Sequence, residues 1–380
     1  MIDRVFTRNI LLVLSCFIAS LAAPFSSSAQ QFGTPAYYRI GPTTAHLNGV
    51  VAADFNKDGA PDLATLDSAS FHVNVLLNTG NGTFGKPISA FKFTEAPHAL
   101  ATGDFNGDGI PDLAVLTGST PAHVQILLGK GDGTFTLHSS YIVGVSSSVV
   151  VADFNGDGKL DVAVTGNPKT RGGAIVMFGN GDGTLQAPAW YAATLAPECI
   201  VAADVNGDGF PDLIVGGAVP GHGPLAILLN HGDGTFEPPV HYAITGNPIS
   251  IAVGDLNNDG KLDLVATSTD TIAVMLGNGD GTFGKAVHYS VAGVGSPALA
   301  VAIADFNLDG NLDVIVGTGQ GTLALFYGKG TGNLKKPVAI PVLRKGANAL
   351  VVADFNGDKA PDVGFTTVDK LAMGVLLNAQ

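Results

Sequence analysis

A nine-residue pattern recurs seven times along the chain, and its spacing limits the folds that are available. The pattern is Asp-[Phe/Val/Leu]-Asn-x-Asp-x-x-[Pro/Leu]-Asp, and its copies begin at Asp54, Asp104, Asp153, Asp204, Asp255, Asp305 and Asp354. Successive copies start 49 to 51 residues apart. A period this regular indicates one structural unit that is used seven times. We call these segments the acidic loops and number their positions 1 to 9.

The rest of each unit is typical of short β-strands. In residues 251–292, four apolar or β-branched runs are separated by the acidic loop and by Gly-rich turns, and they lie at 251–254, 264–268, 271–276 and 286–291. Helical periodicity is absent, and the chain contains 51 Gly and 21 Pro, which favours strands joined by turns. Seven units of four strands predict an all-β fold, a seven-bladed β-propeller of four-stranded antiparallel blades.

The two ends of the chain predict how such a ring closes. The last unit stops at residues 375–380, after its third strand, and therefore lacks a fourth strand. Residues 31–40 resemble the missing piece, because Phe32-Gly33 leads into a Tyr-containing run as Phe283-Gly284 does. We therefore expect an outer closing strand at about 32–42 to complete the last blade and to cover a sheet edge.

Positions 1, 3, 5 and 9 of every acidic loop carry oxygen-bearing side chains. Alternate residues of a tight loop point to one side, and Gly at position 6, present in six loops, permits the positive φ that turns the chain back. Hard oxygen donors without His or thiolate suit Ca²⁺. The predicted metal ligands are Asp54, Asn56, Asp58, Asp62, Asp104, Asn106, Asp108, Asp112, Asp153, Asn155, Asp157, Asp161, Asp204, Asn206, Asp208, Asp212, Asp255, Asn257, Asp259, Asp263, Asp305, Asn307, Asp309, Asp313, Asp354, Asn356, Asp358 and Asp362.

An ordinary turn with Asx hydrogen bonds is the alternative interpretation of any single loop. Seven loops that each keep three carboxylates favour a bound cation, because neighbouring like charges repel. The loops hold 21 of the 32 acidic residues and so account for the net charge of −13, which does not by itself indicate a basic partner. We predict up to seven structural Ca²⁺ ions, with the weakest site in the last loop, where Lys359 takes position 6.

The first 29 residues are typical of a secretory signal peptide. Arginines precede an apolar run at 10–23 that is short for a membrane span, and small residues follow it. Cleavage after Ala29 is predicted, with Ala22 as an alternative and a lipoprotein site at Cys16 as a weaker one. We expect residues 30–380 to form one exported propeller domain, secreted or periplasmic, monomeric and without a membrane span.

Together these features resemble the FG-GAP/VCBS repeat family, whose seven-bladed propeller is similar to the head of the integrin α-subunit. The loops at 54–62, 104–112, 153–161, 204–212, 255–263 and 305–313 match the family's Asp-x-Asn-x-Asp-Gly-x-x-Asp calcium loop, and the loop at 354–362 departs from it at Lys359. Phe32-Gly33, Phe84-Gly85 and Phe283-Gly284 match the Phe-Gly element. The resemblance implies structural Ca²⁺ between the first and second strands of each blade, and it does not identify a ligand.

Motifs of catalysis are absent from the sequence. It has no Ser-His-Asp order, Gly-x-Ser-x-Gly elbow, His-Glu-x-x-His helix or phosphate loop, so we predict that the protein is not an enzyme. An acidic chain without a basic patch also argues against nucleic-acid binding.

The segments that vary most between units predict where a ligand binds. They join strands two and three, or join consecutive blades, and should all lie on the face opposite the acidic loops. We expect this face to bind a glycan or protein, as an adhesion or binding module, through residues drawn from 117–123, 167–173 with Lys169 and Arg171, 217–224 with His222, and the surroundings of His46, His98 and Glu198. The alternatives are an extracellular polysaccharide lyase or hydrolase on the same scaffold, and a structural subunit of an envelope complex.

Overall fold

Antiparallel β-strands form all of the regular structure in the part of the chain that the computed structural model describes. That part comprises residues 32–41, 46–166, 172–217, 224–342, 346–367 and 372–379. Its 28 strands form seven four-stranded sheets, which confirms the prediction of an all-β, seven-bladed propeller. The predicted signal peptide, its cleavage sites and Cys16 lie outside the described residues.

Blades 1 to 3 are each built from four consecutive strands. Their bounds are, for blade 1, β2 (Leu47–Ala53), β3 (Asp62–Asp67), β4 (His72–Leu76) and β5 (Ile88–Lys92); for blade 2, β6 (Pro97–Gly103), β7 (Asp112–Thr117), β8 (Ala122–Gly129) and β9 (Phe135–Gly144); and for blade 3, β10 (Val149–Ala152), β11 (Asp161–Gly166), β12 (Gly173–Met177) and β13 (Ala189–Ala192).

Blades 4 to 6 repeat this order, and blade 7 takes one strand from the start of the chain. Their bounds are, for blade 4, β14 (Pro197–Ala203), β15 (Asp212–Gly217), β16 (Leu225–Leu228) and β17 (Val240–Tyr242); for blade 5, β18 (Ile251–Gly254), β19 (Asp263–Ser268), β20 (Thr271–Met275) and β21 (Val287–Ser290); for blade 6, β22 (Ala298–Ala304), β23 (Asp313–Thr318), β24 (Thr322–Phe326) and β25 (Val338–Pro341); and for blade 7, β26 (Ala347–Ala353), β27 (Asp362–Thr367), β28 (Ala372–Leu376) and β1 (Ala36–Arg39).

The strand β1 closes the ring as the sequence predicts. Its register pairs Ala36 with Val375 and Arg39 with Ala372, so β1 is the outermost strand of blade 7. Phe32 forms an isolated antiparallel bridge with Asn378, just beyond the ladder. The regular strand is shorter than the predicted segment of about 32–42. The blade that holds the end of the chain is therefore completed by its beginning.

The hydrophobic core lies between neighbouring blades. The second strand of every blade is buried at each described position, because adjacent blades cover both of its faces. Each interface adds the residue at position 2 of an acidic loop, as where Phe355 of blade 7 packs edge-to-face on Phe84 of blade 1, with ring centroids 5.6 Å apart. Burial therefore depends on every blade having a neighbour on each side.

The two faces of the ring differ in the regularity of their connections. Eight residues join the first and second strands of every blade, and these contain the acidic loops. On the opposite face, the connections between second and third strands vary from two to seven residues. We call these surfaces the acidic-loop face and the opposite face. Within the described residues, no helix has the length and apolar character that crossing a membrane requires.

Candidate metal centres

All seven acidic loops share one hydrogen-bonded frame, which the loop of blade 3 illustrates. The N–H of Asp157 donates to Asp153 Oδ1 at 3.1 Å and to Asn155 Oδ1 at 3.0 Å. The N–H of Gly158 donates to Asp153 Oδ2 at 2.8 Å, and that of Lys159 to Asp157 Oδ1 at 2.9 Å. Equivalent bonds from the position 6 N–H occur in the other six loops at 2.7 to 2.8 Å. The frame holds the side chains at positions 1, 3 and 5 along one tight turn.

Position 6 of the frame requires a left-handed backbone. Gly158 has a φ of 82°, and a Cβ added there would meet nothing within 4 Å, so only the backbone conformation constrains the residue. Lys359 has a φ of 72° and still donates its N–H to Asp354 Oδ2 at 2.8 Å. The last loop therefore keeps the frame at the cost of a strained lysine.

Replacement of Lys359 by Gly is expected to stabilise the protein by roughly 1 kcal/mol, because glycine adopts a positive φ without that cost. We expect Lys359→Gly to raise the melting temperature and to tighten calcium binding at the last loop, since it also removes a cation. Thermal unfolding and calcium titration calorimetry measure the two effects.

The matched control for this substitution is Gly158→Lys, which places a lysine at the same position of the blade 3 loop. It should destabilise the protein by a similar amount and weaken one further site. Equal calcium affinity at all seven loops of the unaltered chain would contradict the assignment of the last loop as the weakest.

The Asp at position 9 is the buried member of each loop. In blade 3, Asp161 is 0% exposed, and its Oδ2 accepts the N–H of Phe154 at 2.8 Å while its Oδ1 accepts the N–H of Gly179 at 2.7 Å. All seven position 9 carboxylates are buried in this way, with one N–H on each oxygen. Each oxygen keeps a second lone pair for a cation.

Burial makes these carboxylates difficult to keep charged. Loss of solvent is the largest effect, and it raises the pKa of Asp161 and Asp313 to about 7. The carboxylates at positions 1 and 5 raise the pKa further, whereas the two N–H groups oppose the shift. The same causes raise the pKa of the remaining position 9 residues, to about 6 for Asp62, Asp112, Asp212 and Asp362, and upward for Asp263.

The residues present in the loops fit a hard divalent cation. Each loop offers three carboxylates and an amide oxygen, and none of the buried carboxylates forms an ion pair with a Lys, Arg or His among the described residues. A buried carboxylate without a cation is costly, so it takes up a proton or a metal ion. Within the described chain, no three acidic, imidazole or thiol side chains are gathered closely enough to form a finished cage. The ligand set, Ca²⁺ and its stoichiometry remain predictions.

A ring of hydrogen bonds links each acidic loop to the next blade, and the sequence did not reveal it. The carbonyl of position 2 accepts a bond from the following blade in all seven loops. The donor is a backbone N–H in four cases, Gly133 to Phe55, Gly183 to Phe105, Gly281 to Val205 and Gly332 to Leu256. It is an Asn side chain in three, Asn78 to Phe355, Asn230 to Phe154 and Asn378 to Phe306. We call this set the carbonyl ring.

A signal for the carbonyl ring exists in the sequence, although it is weak. The second residue after the third strand is Asn in blades 1, 4 and 7 and Gly in blades 3, 5 and 6, and the corresponding Gly129 of blade 2 is the last residue of its strand. Its backbone N–H always donates to the position 9 carboxylate, so an Asn there can also reach the neighbouring loop. The role of the Asn side chain becomes visible only in the folded ring, where the neighbouring acidic loop lies within its reach.

The acidic residues of the Gly-Asp-Gly-Thr turns act as turn formers. Asp132 Oδ1 accepts both the N–H and the hydroxyl of Thr134, at 2.9 and 2.6 Å. The same pair recurs at Asp182, Asp233 and Asp280, and hydrogen bonds from Thr lower the pKa of each carboxyl. These hydrogen bonds are those of an ordinary turn that an Asp side chain stabilises.

The predicted binding residues on the opposite face do not converge on one point. His98 bonds through Nε2 to the carbonyl of Ser146 at 3.0 Å, which links blades 2 and 3, and Glu198 is exposed at the start of blade 4. His123 pairs with Glu95 at 3.3 Å. The predicted candidates Lys169, Arg171 and His222 lie outside the described residues. These contacts support the ring, and they place polar groups around the start of the inner strands.

Comparison with models of known protein families finds a match to a family of sequence repeats. Six overlapping segments match the profile described as FG-GAP-like repeat, at 54–115, 104–164, 153–215, 204–266, 255–316 and 305–365. Each segment begins at an acidic loop and ends within the second strand of the next blade. No curated protein sequence matches the chain.

Several solved structures share the fold. An Agrocybe aegerita lectin, described as recognising non-reducing terminal N-acetylglucosamine, has 20% identity and a TM-score of 0.54, over 79% of this chain and 81% of the lectin. BBS1N, solved in complex with ARL6DN, has 13% identity and a TM-score of 0.61, over 92% and 98%. Sqt1 of Saccharomyces cerevisiae has 10% identity and a TM-score of 0.57, over 90% and 98%. At these identities the likeness shows the fold alone.

Proposed function

Because the chain belongs to the FG-GAP-like repeat family, we propose that it is an exported binding module in which Ca²⁺ stabilises the blades and the opposite face binds a glycan or protein ligand. The contrast between the two faces carries this proposal. The acidic-loop face repeats one connection of eight residues seven times, whereas the opposite face varies its connections from blade to blade. A repeated scaffold with one variable face is the arrangement of many binding proteins.

Exposed apolar side chains on the opposite face support the proposal. Val145, Leu195 and Ile249 lie in three consecutive links between blades, and they are 48%, 50% and 42% exposed. Phe71, in the hairpin of blade 1 on the same face, is 36% exposed and has a φ of 66°. Apolar groups held at the surface in this way supply contact area for a partner.

The nature of the ligand draws support from two similar structures. The Agrocybe aegerita lectin is described as recognising a sugar, and BBS1N is described in complex with ARL6DN. Both kinds of partner are therefore compatible with a propeller of this type, and we carry both into the test.

Substitution of the three link residues is expected to weaken ligand binding at least 10-fold. The calcium-loaded protein is screened on a glycan array and against purified extracellular proteins, and Val145→Ser, Leu195→Ser and Ile249→Ser are then combined and titrated against the strongest ligand. Three exposed apolar contacts together account for more than 1.4 kcal/mol, which is the free energy of a 10-fold change.

The matched control uses three valines with similar exposure on the outer strands. Val240, Val287 and Val338 are 47%, 49% and 47% exposed, and none lies on the opposite face. The combination of Val240→Ser, Val287→Ser and Val338→Ser should leave the affinity within 2-fold. Equal affinity of both triple variants for the ligand would overturn the assignment of the opposite face.

A further inference from the structure

The outer strand of blade 2 differs from the outer strands of the other six blades. The strand β9 has ten residues, whereas each of the other outer strands has three to five. It is the last strand of its sheet, so one edge of its backbone faces away from β8. We call this edge the β9 edge. A long free edge offers a row of N–H and C=O groups to another strand, and the proposed function makes no use of it.

A sequence difference explains why β9 is longer. In the other six blades, an isolated bridge precedes the outer strand and is separated from it. Three residues after the bridging Phe or Leu, five of these blades carry a proline, namely Pro35, Pro87, Pro188, Pro239 and Pro337. Blade 2 has His138 at this position, and one continuous ladder runs from Phe135 to Gly144. Proline interrupts a strand because it lacks the N–H that a ladder uses.

The other outer edges carry features that keep strand edges from pairing. Blade 5, which has Ala286 in place of the proline, has Lys285 directly before it. Short length, proline and lysine are means by which natural sheets prevent pairing between edges. Residues 133–152, which include β9, contain no Pro, Asp, Glu, Lys or Arg. Among the outer edges of the described blades, only the β9 edge therefore lacks all three of these protections.

Two exposed apolar side chains lie on one face of β9. The register pairs Leu137 with Leu127 and Ile142 with His123, and the two partners are four positions apart in β8, so both pairs share a face. Leu137 is 43% exposed, and Ile142 is 64% exposed, the highest value for a large apolar side chain among the described residues. Apolar groups that remain in water at a free edge gain stability when another apolar surface covers them.

The composition of β9 limits the strand that can pair with it. A charged strand would place its charges against an edge without counter-charges, so the fitting partner is an uncharged strand of similar length with one free edge. Among the described outer strands, only β9 itself meets these conditions. A two-fold axis perpendicular to the sheet pairs two copies of β9 antiparallel and keeps equivalent faces on the same side. Leu137 and Ile142 of both copies then lie together on one face, where cross-strand apolar pairs stabilise a sheet.

We infer that the protein forms a two-fold symmetric dimer in which two β9 edges pair antiparallel and join two four-stranded blades into one sheet. The circumference of a ring is convex, so the contact is limited to about one blade of each copy. Because such an interface is small, we expect a Kd on the order of 10 μM. The dimer departs from the monomer expected from the sequence, and it does not depend on the ligand proposed for the opposite face.

Two measurements on the purified protein in calcium test the inference. Sedimentation velocity at concentrations from about 1 to 200 μM, which bracket the expected Kd, should show a monomer that becomes a dimer as the concentration rises. Hydrogen exchange at the two ends of this range should show that amide hydrogens of residues 136–143 become protected in the dimer, because the second copy accepts them. The amide hydrogens of β21, the outer strand of blade 5, should exchange equally at both concentrations.

Restoration of the missing proline should prevent the pairing. His138→Pro places in blade 2 the residue that five other blades carry, and it should raise the Kd of the dimer at least 10-fold. The fold should tolerate this change, because His138 has no partner in the register with β8. The matched control is Ala286→Pro at the equivalent position of blade 5, where Lys285 already protects the edge. This control should change the Kd less than 2-fold.

A charge on the β9 edge should have the same effect as the proline. Ile142→Lys should raise the Kd at least 10-fold, because it adds an ammonium group where the partner strand has no counter-charge. Its control is Val287→Lys on β21, where Val287 is 49% exposed, and this variant should change the Kd less than 2-fold. The high exposure of Ile142 means that Ile142→Lys should fold whatever the effect of His138→Pro, and a thermal melt verifies the folding of each variant.

Three results would overturn the inference. One is a protein that remains monomeric over the whole concentration range. Another is a dimer whose Kd is unchanged in both Ile142→Lys and His138→Pro, which would place the contact on a different surface. The third is a dimer in which protection of β21 rises as much as that of β9. The variants that test the opposite face lie elsewhere, so either proposal can fail while the other stands.

Discussion

Removal of residues 30–40 is expected to lower the melting temperature of the chain by roughly 10 °C or more. The shortened chain loses the ladder between β1 and β28 and the buried side chain of Ile40, which is 0% exposed. It also loses the ring contacts of Phe32 with Phe306 and of Tyr37 with Phe365, at 5.9 and 6.1 Å. Each buried apolar side chain contributes roughly 1.5–3 kcal/mol, and an edge of blade 7 becomes exposed as well.

The lost stability can be restored in the same experiment by a peptide that replaces the removed residues. A synthetic peptide of residues 30–40, added in excess during refolding of chain 41–380, should restore most of the lost stability, because it can occupy the place of β1. Ile40→Ala in the complete chain should give a smaller decrease. If chain 41–380 melts at the temperature of residues 30–380, the closing strand contributes nothing and the interpretation of the ring closure as stabilising is wrong.

Removal of calcium is expected to lower the melting temperature by roughly 20 °C. At a free calcium concentration 100 times the Kd of a site, binding at that site stabilises the folded protein by about 2.7 kcal/mol. The contributions of seven equal sites add to one another. The measurement is thermal unfolding at pH 8 with calcium and then with a chelator. This pH lies above the raised pKa values of the position 9 carboxyls, which must lose their protons before they can bind a cation.

Substitutions in blade 3 separate ligands from turn residues. Asp157→Asn, at the exposed position 5, should lower the number of bound Ca²⁺ ions from seven to six. Asp182→Asn, in the Gly-Asp-Gly-Thr turn of the same blade, should leave it at seven, because Asp182 bonds to Thr184. A protein that binds no metal after dialysis against calcium, and whose melt does not respond to the chelator, would contradict the calcium prediction altogether.

The sequence predicts the fold well because the fold repeats. In blade 5 the four predicted runs agree with β18 to β21 to within about one residue at each end. The predicted closing strand is confirmed as the outer strand of blade 7, since the same Phe-Gly element precedes both it and β21. A single short apolar run can belong to a strand or to a helix, and seven copies of the same pattern remove this ambiguity.

The sequence does not predict which residues of different blades contact one another. Asn78 and Phe355 are 277 positions apart, yet they share a bond of 2.8 Å in the carbonyl ring. Neither residue has an unusual neighbourhood in the chain. The bond between the Leu334 N–H and the Tyr289 hydroxyl, at 3.2 Å, was hidden for the same reason, because these residues become neighbours only when blades 5 and 6 stand side by side.

The bridge between Phe32 and Asn378 brings the two described ends of the chain to one spot on the acidic-loop face. A tether, tag or fusion partner joined at residue 32 or at residue 379 would therefore leave the molecule from the same side. Immobilised by either route, the ring would turn its acidic loops toward the support and present the opposite face to solution. The same geometry means that a force applied between residues 32 and 379 would first break the Phe32–Asn378 bridge and would then peel β1 from β28 one residue pair at a time, from Ala36 and Val375 onward.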